Sequence, residues 1–317
     1  MKNITIKKKI LLCCVIIFTI TNANAQFHYR SPLIKIKVDV CNYYVTYTYK
    51  FVNDTIKKEP YYDKQALEIG DSIIKYSSIY VDIRDSIFIE FSNNKGKHRQ
   101  NKNGSDGINP NTEAGLKANE KAIYEDYYVN YPTKKMLSVS TGMWGKEYLY
   151  EEPVPKFEWK FHPDTTTILG YKCMKATTTF RGRNYEVWFT PFIPIRYGPW
   201  KFNGLPGLIL KATDTKGYFE WIAIGFEKPQ NKDLYVINFE KISKGTHFVK
   251  TDRKSVIKLL HKRWSDPVGL GLSNLPDGFR GMYTLSDPLT SAQVIISHDI
   301  PSSKNVQFSY IPIPELE

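Results

Sequence analysis

Arg181, Arg183, Glu186 and Trp188 form a compact group of side chains able to bind or position a ligand. Two guanidiniums can grip a carboxylate or phosphate in bidentate fashion, and an indole can cover an apolar surface. On a strand, Glu186 and Trp188 share one face, while Tyr185, Val187 and Phe189 share the other. An Arg–Glu pair across a hairpin is also an ordinary cross-strand ion pair. The same four residues therefore read either as a ligand site or as sheet chemistry.

Other chemistries find less support. The six histidines are His28, His98, His162, His247, His261 and His298. None falls in an H-x-x-x-H or H-E-x-x-H pair, and no C-x-x-C exists, so no local metal motif is present. There is no G-x-S-x-G and no G-x-G-x-x-G. Cys173 has His162 and Asp164 nearby in sequence, but a nucleophilic triad is assembled in space, and no local cysteine-protease signature surrounds it. The reading is of a chain without catalytic residues, metal or cofactor. Many hydrolases lack a local signature, so an exported hydrolase stays open as a lesser alternative.

The elements that hold these residues are mostly strands. Of 317 residues, 14% are aromatic, with 22 Tyr and 17 Phe, a composition that suits pleated, half-buried surfaces. With 42% hydrophobic and 24% charged residues the mixture is that of an ordinary globular chain, which excludes whole-chain disorder, a collagen-like repeat and a long coiled coil.

Residues 1–25 read as a secretory leader. Lys2, Lys7, Lys8 and Lys9 precede the apolar run Ile10 to Ile20, and Ala23-Asn24-Ala25 is a cleavage signal before Gln26. The run is too short to span a bilayer, and no later stretch is long enough. Removing the leader takes four lysines and no acid with it, lowering the net charge from +12 to +8. An exported basic protein rarely meets nucleic acid; acidic glycans, anionic headgroups or an acidic partner fit better. Cys13 and Cys14 leave with the leader. Cys41 and Cys173 remain, either as one disulfide or as two buried thiols.

Residues 26–317 read as one β-rich domain. Ile34, Ile36, Val38 and Val40 alternate with polar residues, and the apolar set then changes parity to Tyr43, Val45, Tyr47, Tyr49 and Phe51. A strand cannot change face without an extra residue, so a bulge or break is expected near Cys41 to Tyr43. Leu67 to Ile74 reads as strand, Gly-Asp turn, strand. Ser92 to Glu120 is polar and reads as a flexible insertion, serving as linker, hairpin or lid. Phe157, Trp159 and Phe161 alternate, and further strands are expected at Ala176–Phe180, Arg183–Thr190, Leu208–Ala212, Tyr218–Phe226 and Leu234–Phe239. One helix is expected, capped by Thr251 or Asp252. Val256, Leu259, Leu260 and Trp264 form its apolar face, and Lys254, Lys258, Lys262 and Arg263 its solvated one.

Gly204-Leu205-Pro206-Gly207-Leu208-Ile209 is the most distinctive segment. Pro206 suits the second position of a turn, and Gly207 suits the positive φ of a type II third position. Its apolar flanks place the turn against a core. No Lys-Ser or Lys-Thr follows, so it is no phosphate cradle.

This hexapeptide resembles the signature of the GLPGLI family of exported Bacteroidetes envelope proteins. Similar segments include Leu67-Glu68-Ile69-Gly70, Gly170-Tyr171-Lys172-Cys173, Glu186-Val187-Trp188-Phe189-Thr190 and Gly198-Pro199-Trp200-Lys201-Phe202. The resemblance implies periplasmic or outer-membrane-associated localisation, often beside TonB-dependent outer-membrane receptors, but no reaction. The expected fold is mainly β: a curved antiparallel sheet or incomplete barrel with one or two short helices. It is similar by analogy to the half-barrels of periplasmic lipoprotein carriers. The expected function is non-catalytic binding of an apolar or amphipathic ligand, or of a protein partner, in the concavity. Trp159, Trp188, Trp200 and Trp221 are the aromatic positions most able to line it. The alternative is an accessory subunit of a TonB-dependent transporter.

Overall fold

The computed structural model describes residues 35–52, 60–86, 123–143, 146–240, 248–266, 270, 283–287, 292–296 and 301–304. The expected leader and the polar insertion at 92–120 lie outside the described residues.

In chain order the strands begin with β1 (Lys35–Val40), β2 (Tyr43–Val52), β3 (Pro60–Ile69) and β4 (Ile74–Ser78), followed by a helical stretch α1 over 79–86. Next come β5 (Glu125–Val129), β6 (Met136–Met143), β7 (Lys146–Pro153), β8 (Lys160–Ile168), β9 (Tyr171–Phe180) and β10 (Arg183–Thr190). The chain continues through β11 (Leu208–Asp214), β12 (Phe219–Glu227), β13 (Asp233–Ile237), β14 (Phe248–Lys250), helix α2 (Arg253–Ser265), β15 (Tyr283–Asp287), β16 (Ala292–Ile296) and β17 (Pro301–Lys304).

Twelve strands form one sheet in the order β14-β7-β6-β5-β4-β3-β2-β12-β11-β10-β9-β8. Its neighbours are antiparallel except β14, which runs parallel to β7. The two edge strands do not meet, so the sheet stays open rather than closing into a barrel. β1 pairs with β13 in a separate ribbon, and β15, β16 and β17 make a third, small sheet.

Local sequence explains most elements. In β2 the side chains Val45, Tyr47, Tyr49 and Phe51 are buried while Thr46, Thr48 and Lys50 are not, the period of a one-sided strand. The parity change near Cys41 is a change of sheet: β1 follows β13, the chain breaks at Cys41-Asn42, and β2 enters between β12 and β3. The turn joining β3 to β4 is held from outside, since the Asp39 carboxylate accepts the N–H groups of Ser72 (2.8 Å) and Ile73 (3.1 Å).

Helix α2 is capped by Asp252, whose carboxylate accepts the Ser255 N–H at 2.9 Å. Val256 is buried against the core and Lys254, Lys258 and Lys262 are exposed. Arg263, expected on the solvated face, is buried instead. Among the described residues no helix is long and apolar enough to cross a membrane. The strand expected around Phe157 starts only at Lys160, and Phe157 and Trp159 enter the aromatic core from a non-strand segment.

Candidate binding cleft

The connection from β10 to β11, residues 191–207, lies over one face of the large sheet as a strap. Main-chain hydrogen bonds seat it: Leu208 N–H to Ile193 O (3.0 Å), Ile209 N–H to Tyr197 O (3.2 Å) and Gly204 N–H to Arg196 O (2.9 Å). The Tyr47 hydroxyl donates to Ile209 O at 2.8 Å, tying the end of the strap to β2. Gly207 has a φ of 159°, far from the roughly +80° of a type II third position, and the Leu208 N–H goes to Ile193 O instead of closing the turn. The glycines serve close approach instead. A Cβ on Gly207, whose φ is 159°, would lie 2.0 Å from Thr190 O, and one on Gly198 would lie 2.6 Å from the Ile209 Cβ. Leu205, Leu208 and Ile209 are fully buried, so the hexapeptide works as a packing staple.

The strap inserts Trp200 and Phe202 into the sheet's aromatic layer. Trp200 stacks on Trp221 at 5.9 Å, Trp221 stacks on Tyr49 at 4.9 Å, and Phe202 meets Tyr185 edge-on at 5.0 Å. Trp159 donates its indole N–H to Asn203 O at 2.9 Å. The concavity that Trp159, Trp200 and Trp221 were expected to line is therefore filled by the chain itself. Trp188 faces the other side.

Beyond the strap a shallow cleft remains, with a cavity volume of only about 20 Å³. Leu67, Ile74, Tyr76, Tyr127, Val129 and Leu137 of β3–β6 make its floor. Tyr197, Gly198, Trp200, Lys201, Phe202 and Asn203 make the strap wall, and Val154 and Pro155 close one end. The floor is apolar because inward positions of four adjacent antiparallel strands align across the sheet. Its two tyrosine hydroxyls are engaged: Tyr76 donates to Gln65 Oε1, and Tyr127 to Glu125 Oε2 at 2.6 Å. Behind them, the buried Asp63 carboxyl accepts Ser78 Oγ–H at 2.8 Å and Gln65 Nε2–H at 3.1 Å. Burial outweighs these donors and pushes the Asp63 pKa up to about 8.

Lys201 anchors the strap wall. Its ammonium donates to Glu152 Oε1 at 2.8 Å and to the Tyr150 hydroxyl at 3.0 Å. Glu152 also receives Arg181 Nη2 at 2.5 Å, with Arg253 Nε at 4.0 Å. One carboxylate thus joins the strap, the β9–β10 hairpin and the start of α2 to β7.

The four residues singled out from sequence do not converge on one site. Arg181 serves this Glu152 hub. Arg183 is buried and pairs with Asp214 at 2.7 Å on the strap side. Glu186 pairs with Lys175 at 2.7 Å on the opposite face, where Trp188 Nε1–H reaches Glu186 Oε1 at 3.2 Å. The cross-strand ion-pair reading describes Glu186, although its cation is Lys175 rather than an arginine. Of the two states left open for Cys41 and Cys173, the structure has the buried free thiols, in two different apolar clusters. Burial raises the pKa of both. His162 bonds Thr177 Oγ1 at 2.8 Å, and the Cys173 thiol turns to Tyr171 O at 3.4 Å, so no thiol–imidazole pair exists between them. Among the described residues no cluster of His, Cys, Asp or Glu could hold a metal ion.

Asp63, Gln65, Tyr76, Tyr127, Glu152 and Lys201 were not singled out by type or spacing. They meet only through the order of strands, and the one local signal was that Lys201 sits inside an otherwise aromatic run.

Residues 112–251 match the family model described as the N-terminal domain of the N-glycanase peptide PNGase F-II, a span that includes β5 to β14 and the strap. No curated protein matches the chain. Among solved structures, PNGF-II in its P21 crystal form is similar with a TM-score of 0.42 and 16% identity, covering 72% of this chain and 34% of that one. The C2 form gives a TM-score of 0.41 and 14% identity, covering 80% and 39% respectively. The chain therefore spans little more than a third of the length of these structures.

Proposed function

We propose that the protein is an exported, non-catalytic envelope protein of the GLPGLI type that holds an apolar or amphipathic ligand between the strap and β3–β6. The observation that carries this reading is the cleft itself: a preformed apolar floor, with Lys201 and Asn203 on the facing wall. Small-molecule sites occupy roughly 300–1,000 Å³, whereas the room here is only about 20 Å³, so the depression suits the end of one short apolar chain or a single apolar side chain rather than a whole lipid. Engaged hydroxyls leave the floor tyrosines offering ring faces rather than polar tips.

The match to an N-terminal domain of a larger protein favours a second reading in the same cleft. Such a domain accompanies another unit, so the occupant would be an apolar side chain of a protein partner. A TonB-dependent outer-membrane receptor is the candidate from the GLPGLI resemblance.

The test uses N-phenyl-1-naphthylamine, an uncharged apolar fluorophore, on the wild type and on Val129→Trp, which narrows the mouth of the cleft. Saturable binding by the wild type and its loss in a folded Val129→Trp supports the cleft. Equal binding by both would overturn it. Native mass spectrometry of the protein from its own envelope then separates a bound small molecule from a bound protein.

A further inference from the structure

The face of the large sheet away from the strap is uncovered along β10 to β12 and β2. On these strands the strap-side positions are buried, whereas the alternate positions Glu186, Trp188, Lys211, Thr213, Glu220 and Ile222 are only half-buried. The strand register sets such positions in two rows across the sheet. One row runs Lys175, Trp188, Lys211, Ile222, Thr48 and Lys64, each the direct partner of the next. The other runs Thr177, Glu186, Thr213, Glu220 and Lys50.

Charge divides unequally between the rows. The Trp188 row holds lysines and no acid. Both glutamates of the other row are paired across to it, Glu186 with Lys175 at 2.7 Å and Glu220 with Lys211 at 3.6 Å. Lys50 and Lys64 have no ion pair among the described residues, so the face is net positive. The Trp188 indole is held in place, its N–H donated to Glu186 at 3.2 Å and the Lys175 ammonium 5.7 Å from its ring centre. Thr48 and Thr213 donate their hydroxyls to Ile222 O (3.3 Å) and Phe219 O (3.1 Å), which leaves their oxygens as acceptors.

Spacing decides among polyanions. Neighbouring strands lie about 4.8 Å apart, so Lys175 to Lys211 spans about 10 Å of the row and Lys211 to Lys64 about 14 Å. Duplex nucleic acid carries a charge every ~1.7 Å, far denser than these lysines, and would press phosphates against Glu186 and Glu220. A bilayer is planar, whereas strands rotate by roughly 20–25° each, so a row over six strands turns by about 100° or more. A flexible linear chain can follow that turn.

We propose that this face binds an acidic polysaccharide, a hydroxyl-rich chain with carboxylates at intervals, laid along the Trp188 row. The carboxylates pair with Lys211 and Lys64, the apolar face of a sugar ring stacks on Trp188, and sugar hydroxyls donate to Glu186, Glu220 and the threonine oxygens. The surface is separate from the cleft, which opens on the strap side.

The experiment titrates polygalacturonate into the full chain by calorimetry at low ionic strength. The wild type and Val129→Trp should bind alike, and Trp188→Ala and the folded double variant Lys64→Glu/Lys211→Glu should each bind at least about tenfold more weakly. No binding by the wild type, or equal binding by these variants, would overturn the proposal and leave the cleft reading untouched. Equal or tighter binding of duplex DNA or of phosphatidylglycerol vesicles, with the same losses, would overturn the polysaccharide assignment. A loss confined to Val129→Trp would place the polymer at the cleft and overturn it too. If Trp188→Ala does not fold, hydroxyl-radical oxidation of the wild type decides: polygalacturonate must protect Trp188, and unchanged oxidation refutes the inference.

Discussion

The strap divides the face it lies on into two unlike regions. Beneath it, on β9 to β12 and β2, aromatic rings interlock, with Tyr49, Trp221 and Trp200 stacked in sequence and Phe202 wedged against Tyr185. The buried charge there is internally matched by Arg183 and Asp214. On β3 to β6 the same alternation of inward side chains produces an open cleft, and the layer behind it holds a chain of hydrogen bonds ending in the unmatched Asp63. Both regions consist of buried residues on regular antiparallel strands. The contrast shows that inward periodicity creates a surface needing cover but does not specify the cover. A segment from a distant point in the chain decides which part becomes core and which part remains uncovered.

The largest effect is expected where the strap is seated. A Cβ at position 207 would lie 2.0 Å from Thr190 O, so Gly207→Val should cost more than about 4 kcal/mol in urea denaturation. A loss below about 1 kcal/mol would show that the strap is not held by this approach. Truncation then compares the two regions directly. Trp221→Ala, in the ring stack, should cost about 3–5 kcal/mol, and Leu137→Ala, at the cleft floor, about 2–3 kcal/mol. Equal losses would mean that both regions are packed alike.

Proton linkage supplies the next contrast. Folded Asp63 keeps its proton up to about pH 8, whereas the unfolded chain releases it near pH 4. Between these values the folded state binds more protons, so this residue's contribution to stability is full below about pH 4 and is lost as pH rises to about 8. Wild type minus Asp63→Asn stability should fall across that window. A flat difference would place the Asp63 titration elsewhere. The smallest effect is expected on the opposite face: Trp188→Ala should cost about 1 kcal/mol or less and leave probe affinity unchanged. A weakened probe would move the binding surface to the Glu186–Trp188 side.

Several parts of this arrangement were legible in the chain. Strands β9 to β13, the β3–β4 hairpin and the Asp252 cap follow from alternation, turn residues and capping chemistry, all of which act over a few neighbours. The parity change at Cys41 correctly marked a break, although it could not reveal that β1 would leave for β13. The hexapeptide was legible as a buried turn, but its glycines serve contacts with Thr190 and Ile209 rather than a type II geometry. The site was much less legible. Lys201 and Glu152 are 49 residues apart, and Asp63 reaches the cleft through a strand pairing, so neither has a local pattern. Arg181, Arg183, Glu186 and Trp188 looked like one cluster because they are close in sequence. The pleat and the hairpin turn send them to three different places.

The sequence alone determined where strands run, which side chains of each strand must be covered, and that the segment around Leu205 to Ile209 must be buried. These properties follow from periodicity and side-chain chemistry within one element. Only the tertiary structure decided that β2 lies beside β12, that the strap fills one half of the face and spares the other, and that Cys41 and Cys173 stay apart. Those outcomes depend on which distant segments come together, and burial alone is satisfied by many such pairings. Close backbone approach at Gly207, the ring stack on Trp221 and the ion pair at Glu152 select the one that is formed.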